Sequence, residues 1–363
     1  MIRVVHTADL HLDAPFAYLP FEKRALKKQA VKSVFSSVID LTIENQADAL
    51  IIAGDLFNGV NPLPATVSFV INELGKLAGK ARVIIVPGNH DYYQSGGFWD
   101  LPEWPKHVTI FKRDVWSLIE LEPSGISVAG IASRSSGTER NALKEFNLEA
   151  DILVMHGAHK LDFYEGRHSY PFSEEDTMGL PAKYLALGHY HQFGRIGRGI
   201  AYYPGSPEGL CFDETGKRSA LIVEIGDGPV KVVQLELGVY PFNRFELDCT
   251  TMANTNEIET AITAFGTQRD LLKIVLTGTP PLNLDADVEA LIARLGEKFF
   301  YIDIKDKLEL PLADIKPGER TIRAKFLMRM REKLEAADDS ETKDVINLAT
   351  RLGLGALEGR VKK

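Results

Sequence analysis

The chain is predicted to be an α/β protein, on three observations. Short runs of Val, Ile and Leu recur at Ile2–Val5, Ala49–Ala53, Arg82–Val86, Ile126–Ile131, Asp151–Met155 and Tyr184–Leu187. Each is too short for a helix and apolar enough for a strand buried in a sheet. The gaps between the early runs carry helical spacing, and five of the six runs end in Asp, His or Asn.

Between the first two runs, Leu26, Val31, Val34, Val38 and Leu41 fall near helical spacing, and a second helix fills Ala65–Leu77. Strand, helix, strand, helix, strand reads as a βαβαβ half with a mainly parallel sheet. From about residue 200 the helical patterns stop, and Ala220–Ile225 with Val230–Leu237 predict an antiparallel second sheet. After a break at Gly238–Asn243, the stretch Arg244–Leu310 reads as a smaller α+β unit with strands Phe245–Leu247 and Leu272–Thr277 and a helix at Val288–Leu295. Pro and Gly in Leu310–Gly318 mark a linker. Beyond it Ile322, Phe326, Met330 and Leu334 form one apolar stripe among Arg320, Arg323, Arg329 and Arg331, and Val345, Leu348, Leu352 and Ala356 form a second. Two amphipathic helices are therefore expected to close the chain, giving a division into residues 1–238, 244–310 and 318–358.

Composition narrows the function classes. With 363 residues, 45% hydrophobic and 25% charged, the chain matches an ordinary globular enzyme and not a disordered or collagen-like one. No run approaches the roughly 18 apolar residues of a membrane span, and MIRVVHTADL lacks the layout of a signal peptide. A cytoplasmic protein without a membrane contact is expected. Cys211 and Cys249 are the only cysteines, too few for a disulfide framework or a cysteine zinc site. Any metal must then be held by His, Asp, Glu or Asn. The net charge of −8 argues against coating nucleic acid by bulk electrostatics, while bound cations would still let an acidic protein meet a phosphate locally.

Ligands in open α/β sheets bind outside the carboxyl ends of strands, so the strand ends carry the chemistry. They read His6-Thr7-Ala8-Asp9-Leu10-His11, then Gly54-Asp55, Gly88-Asn89-His90-Asp91, His156-Gly157 and Gly188-His189-Tyr190-His191. Two carboxylates, five histidines and one asparagine at one sheet edge cost free energy unless a cation neutralises them. The mixed O and N set is too large for one tetrahedral site and suits two ions sharing a carboxylate. In an extended turn residues i and i+2 point the same way, so Asp9 with His11, and His189 with His191, are expected to chelate in pairs.

The order Asp-x-His, Gly-Asp, Gly-Asn-His-Asp, His-Gly, Gly-His-x-His resembles the calcineurin-like metallophosphoesterase superfamily. The phrases HTADLHLD, GDLF, PGNHD, LGHYHQ and YPGSPE resemble its DNA-repair exonuclease branch, the SbcD and YhaO-like proteins. The resemblance implies a sandwich of two mixed β-sheets flanked by helices, a small α+β capping domain and a C-terminal helical tail. It implies that Asp9, His11, Asp55 and His191 hold one metal and Asp55, Asn89, His156 and His189 the other, with Asp55 bridging. His90 would be the catalytic histidine beside the scissile phosphate. The ions, expected as Mn²⁺, would polarise the phosphoryl oxygens and activate a water. The implied function is hydrolysis of DNA with an SMC-like, SbcC-type ATPase, and a homodimer is compatible with it; the alternative is a phosphoesterase for nucleotides or other small phosphoesters. Where many nuclease members carry a histidine or acidic residue soon after GDLF, this chain has Asn58-Gly59-Val60-Asn61-Pro62.

Other residues have plainer readings. His6 has the parity of a buried core side chain, and His107, His159 and His168 fall in loops, where exposure is expected; Arg167 and His168 are placed to meet DNA. Asp13 and Asp91 are either turn formers or carboxylates that orient a metal-bound histidine. Phe98, Trp99 and Trp104 are read as loop anchors ahead of base-stacking platforms. Tyr203-Pro204-Gly205-Ser206-Pro207 reads as a tight turn.

Overall fold

The computed structural model describes residues 1–122, 124–159, 169–281, 284, 287–309 and 320–357. Arg167, His168 and the Leu310–Gly318 linker lie outside the described residues. The chain divides into two units, Met1–Pro241 and Phe242–Lys363.

The first unit opens with β1 (Ile2–Thr7), α1 (Phe21–Glu44), β2 (Ala49–Ala53), α2 (Pro64–Gly75), β3 (Arg82–Val86) and β4 (Val108–Ile110). It continues with β5 (Ser117–Leu121), β6 (Ile126–Ile131), β7 (Ile152–His156), β8 (Tyr184–Gly188), β9 (Gly194–Arg195) and β10 (Ala201–Tyr203), and ends with β11 (Arg218–Ile225) and β12 (Lys231–Leu237). Two six-stranded sheets result, in the orders β12-β11-β1-β2-β3-β4 and β5-β6-β7-β8-β10-β9. Both are mixed. Strands β1 to β4 run parallel, and so do β6, β7, β8 and β10, while β11, β5 and β9 pair antiparallel.

Contrary to the expectation from spacing, the late antiparallel strands do not make a second sheet; β11 pairs with β1 and extends the first sheet. The second sheet is built instead from the middle runs at β6, β7 and β8. An antiparallel hairpin carries its local pattern wherever it docks, so the choice of neighbour is made by burial of the nearly all-buried β11 and not by spacing.

The sheets pack face to face, with Val4, Ile51 and Ile84 from one and Val128, Ile152, Val154 and Tyr184 from the other in a single core. α1 packs on β1, burying Val31, Val34, Phe35, Val38 and Ile39, a 3.6-residue stripe. Leu26, expected in that stripe, is exposed, because the buried face runs one residue round through Phe35 and Ile39. His6 crosses between the sheets: the Tyr184 hydroxyl lies 2.8 Å from Nδ1 and the Leu187 carbonyl 3.1 Å from Nε2. With both nitrogens engaged it is a core histidine, and burial pushes its pKa down to about 3 against the weaker pull of the Leu187 carbonyl. The partners assign Nε2–H as donor to Leu187 and the Tyr184 O–H as donor to Nδ1.

The second unit holds β13 (Phe242–Asp248), α3 (Thr255–Thr263), β14 (Leu271–Thr277), α4 (Val288–Leu295) and β15 (Tyr301–Asp306). Its three strands run parallel in the order β13-β14-β15, over a core of Leu247, Ile258, Ile262, Ile274, Leu291 and Ile304. Asn254 and Asp287 cap α3 and α4 by accepting the Glu257 and Ala290 N–H groups. β13 starts inside the stretch expected as a break, which is therefore narrower than predicted.

α5 (Ile322–Glu335) and α6 (Ser340–Leu357) follow. They pack on each other, with Phe326 against Gly353, and Arg351 fastens α6 to Asp306 and to the Leu308 carbonyl at 3.1 Å. Ala324, Leu327, Thr350 and Leu354 are buried, whereas Val345, Leu348 and Leu352 of the second apolar stripe are exposed, as are Ile322 and Met328. The close helix approach at Gly353 turns that row outward. No described helix is long and apolar enough to cross a membrane.

Replacing Tyr184 with Phe leaves the His6 Nδ1 lone pair unmatched in the core. The expected loss is about 1–3 kcal/mol, read as a lower urea midpoint with bound metal unchanged; an unaltered midpoint would show that this bond between the sheets contributes nothing.

Candidate metal centre

The loops after β1 and β2 run side by side and are joined by backbone hydrogen bonds. Asp9 N–H donates to Gly54 O (3.1 Å), His11 N–H to Asp55 O (2.9 Å), Leu12 N–H to Leu56 O (3.0 Å) and Asn58 N–H to Leu12 O (2.8 Å). Asp9, His11 and Asp55 adopt left-handed φ values of 53°, 45° and 49°, which cost on the order of 1–2 kcal/mol each for an L-residue. Side chains in that conformation do not follow the extended i, i+2 rule. Asp9 and His11 do converge, through paired left-handed turns rather than a strand. His189 and His191 each face a different ring: that of His189 sits 5.2 Å from that of His156, and that of His191 4.9 Å from that of His11.

Glycine is required where these loops cross. At Gly54, with φ +92°, an added Cβ would lie 2.2 Å from His156 Nδ1, and at Gly88 it would lie 2.1 Å from Asp55 Oδ1.

Asp55 is at the centre. Its Oδ1 accepts the His90 N–H at 2.9 Å, and its Oδ2 lies 3.3 Å from His156 Nε2 and 3.6 Å from His11 Nε2. His156 Nδ1 is 3.0 Å from Ala53 O, and its Nε2 faces Asn89 Oδ1 at 2.9 Å. His11 Nε2 faces His191 Nε2 at 3.2 Å. The Asp9 carboxylate accepts the His189 N–H at 3.1 Å. Asp9, His11, Asp55, Asn89 and His156 are buried, while His90, His189 and His191 are half-buried, so the cluster opens to solvent on the histidine side.

Among the described residues, three overlapping groups have ligand atoms within 4.8 Å of one another: Asp9, His11 and His191; His11, Asp55 and His90; and Asp9, Asp55 and His156. The donor set fits divalent cations. His11 Nδ1 is buried without a hydrogen-bond partner, and its Nε2 faces another imidazole nitrogen, a pairing that one cation between them satisfies. Carboxylate, amide and imidazole donors in this mixture suit first-row divalent ions.

Residues 2–210 match the Calcineurin-like phosphoesterase family. The chain belongs to that family. The chain is 29% identical over 240 residues to the uncharacterized metallophosphoesterase YhaO of Bacillus subtilis (strain 168), covering 62% of this chain and 58% of that one. Against the DNA double-strand break repair protein Mre11 of Sulfurisphaera tokodaii it is 28% identical over 247 residues, with 62% and 61% covered. Against the SbcD component of the nuclease SbcCD of Bacillus subtilis the values are 25% over 269 residues, with 62% and 67% covered. The chain thus spans about three-fifths of the length of the first two relatives.

Among the loop residues, two histidines sit differently from their sequence readings, while the loop carboxylates and tryptophans follow theirs. His107 is half-buried, with Nε2 2.9 Å from the Leu74 carbonyl, and the half-buried His159 packs 5.7 Å from Phe172, so neither is the exposed loop residue expected. Asp91 accepts the Phe57 and Gly88 N–H groups at 3.0 and 2.7 Å. Asp13 accepts from Leu63 N–H and Thr66 Oγ1 at 2.9 and 2.7 Å at the start of α2. Both carboxylates tie loops, and neither meets a histidine. Trp99 is buried with its N–H on Asp91 O (2.6 Å) and stacks on Trp104, whose N–H bonds Phe98 O (2.9 Å), so these rings anchor the loop that carries His90. A carboxylate from outside these motifs meets a histidine instead: Glu214 Oε1 is 2.7 Å from His191 Nδ1. Nothing in its spacing marks it; it lies 23 residues on from His191, whereas proximity in sequence to the ligand motifs favours Asp13 and Asp91 for that role.

Charge is distributed by neighbours. Burial opposes a proton on His156, but the Asp55 carboxylate beside it outweighs that and lifts its pKa to about 9; burial likewise opposes His191, and its bond to Glu214 lifts it to about 9. Burial disfavours the Asp55 anion, yet the facing imidazoles hold its carboxyl well below the usual range. Burial lowers His11 and His189 to about 3 and raises Asp9 to about 6.

With both pulled up to about 9, His156 and His191 favour their protonated forms at neutral pH, so a cation binding there would displace those protons. Calorimetry in buffers of different ionisation enthalpy should register about two protons released per chain at pH 7 as Mn²⁺ is taken up, with affinity rising toward pH 9. Because both folded values (about 9) lie above the ordinary 6.5, their stabilisation of the metal-free fold is complete below about pH 6.5 and lost as pH rises through about 9. Metal uptake without proton release would show that these imidazoles are not the groups displaced.

Proposed function

We propose that this phosphoesterase is a two-ion phosphodiesterase that cleaves DNA in repair, working with an SbcC-type ATPase. The observation that carries the reading is the sharing of Asp55 by two imidazole groups, His11 with His191 on one side and His156 with Asn89 and His189 on the other. In this reading Asp9, His11, Asp55 and His191 hold one ion and Asp55, Asn89, His156 and His189 the second, with Mn²⁺ the ion to test first. Divalent ions in such a pair supply Lewis acidity toward a phosphoryl oxygen and a nucleophilic water.

The protein's own contribution is placement. Asn89 and His90 are adjacent and diverge, Asn89 toward His156 and His90 toward the half-open side, where its ring stands 4.7 Å from that of His11. Held by its backbone N–H on Asp55 Oδ1, His90 is positioned to protonate a leaving oxygen or stabilise charge on the phosphoryl group. The DNA substrate and the ATPase partner are supported by the similarity to Mre11 and to the SbcD component of SbcCD. They are also supported by the exposed row Val345, Leu348 and Leu352 on α6, an apolar face of the kind that docks into a partner helix groove. The α+β unit and the helical pair are read as a cap and a partner-binding segment.

Asp55→Ala should bind neither ion tightly and be inactive; two tightly held ions in that variant would remove Asp55 from the bridging position. His90→Ala should keep both ions by elemental analysis while turnover falls about 10²–10⁴-fold, and loss of an ion instead would make His90 a ligand. Substrate class is tested by offering linear duplex, single-stranded circle and a chromogenic phosphodiester with Mn²⁺, with and without the ATPase. Hydrolysis of the small diester alone under every condition would favour the small-phosphoester alternative. Leu348→Glu combined with Leu352→Glu should leave hydrolysis of the small diester intact and abolish co-purification with the ATPase; retained co-purification would move the docking face elsewhere.

A further inference from the structure

His191 differs from the other candidate ligands in how it is held. His11 and His156 are buried and fixed by their surroundings, whereas the His191 side chain is 28% exposed and needs something else to set its ring. Glu214 Oε1 lies 2.7 Å from Nδ1, which leaves Nε2 aimed at His11 Nε2. The Glu214 carboxylate is itself buried. Its Oε2 accepts from Ser206 Oγ at 2.8 Å and from the Leu210 N–H at 3.0 Å, and it stands 3.7 Å from Arg218 Nη1.

Arg218 completes the grip on the same residue. Its Nη1 donates to the His191 carbonyl at 2.7 Å and to Ser206 Oγ at 3.2 Å, and its Nη2 to Gln192 Oε1 and Thr215 O at 2.7 and 2.8 Å. One member of the Glu214–Arg218 pair therefore holds the His191 ring and the other its backbone. The segment that carries them is not a solvent turn. Ser206, Glu208, Glu214 and Arg218 are all buried, and Glu208 pairs with the buried Lys27 of α1 while accepting the Val239 N–H at 2.6 Å. Buried ionic groups are costly unless well paired, and here they converge on one half-open histidine.

We propose that Glu214 is the positioning residue of the His191 metal subsite, acting through His191 and supported by Arg218 and Ser206. This rests on the reading of the cluster as a metal centre. Glu214 fixes the ring so that Nε2 is aimed beside Asp9 and His11 and becomes a ligand atom once the cation has displaced its proton, the part that hydrogen-bonded carboxylates play behind metal-bound imidazoles. The ring then need not be ordered by the ion when it arrives, which is a gain in affinity by preorganisation.

The test uses the full chain and Mn²⁺. Wild-type protein, Glu214→Ala and Glu214→Gln are titrated by calorimetry, ions per chain are counted after dialysis, and the electron paramagnetic resonance of bound Mn²⁺ reports whether two ions are coupled. Glu214→Ala should weaken one of the two ions about 10–100-fold, leave the other near its wild-type affinity and lose the coupled signal. Glu214→Gln keeps an acceptor oxygen without the charge and should fall between. Thermal unfolding in chelator separates this from a merely structural role. If both variants lower the unfolding midpoint yet bind two ions with wild-type affinity, the proposal is overturned, and the more conservative Gln variant decides the matter if the Ala variant does not fold. Wild-type protein that takes up no Mn²⁺ would instead overturn the metal-centre reading itself.

Discussion

Everything at the site depends on one electrostatic constraint: the Asp55 carboxylate is almost completely buried and must be surrounded by groups that keep it an anion. Imidazoles from three loops, with His156 and His11 nearest, do this, and each must approach within about 4 Å for the attraction to exceed the cost of desolvation. The constraint propagates outward. It requires left-handed backbone at Asp9, His11 and Asp55, glycine where loops pass the carboxylate and His156, and a ladder of backbone bonds that joins the first two loops.

The sandwich serves this constraint by bringing the carboxyl ends of both sheets to one seam. Asp9, His11, Asp55 and Asn89 come from the first sheet and His156, His189 and His191 from the second, so the centre exists only if the two sheets keep their relative placement. A shared apolar core and the His6–Tyr184 bond hold that placement. The buried members of the cluster lie on the sheet side and the half-exposed histidines on the other, an arrangement that leaves an open approach from solvent while the charged floor stays dry.

The last two helices keep surface that their own packing does not consume. α6 is tied to its unit by Arg351, and the residues that face α5 are small or polar as well as apolar, which leaves Leu348 and Leu352 in water. A strongly amphipathic pattern establishes that a helix has two faces, and the neighbour decides which one is covered.

The class of the fold, the main strands and the strand-end Asp, His and Asn residues that gather around Asp55 were legible in residue order alone, because β-branched runs and strand-end motifs are local in the chain and their chemistry is visible in residue type. Parity along β1 was likewise enough to separate the core histidine His6 from the strand-end histidines. Long-range packing settled what remained. Sheet membership of β11 and β12, the facing of His189 to His156 and of His191 to His11, the outward turn of Val345, Leu348 and Leu352, and the partnership of Glu214 with His191 all join segments with no fixed spacing between them. In each case the local pattern permitted more than one arrangement, and the outcome was set by which buried surfaces and charges found partners as the elements packed.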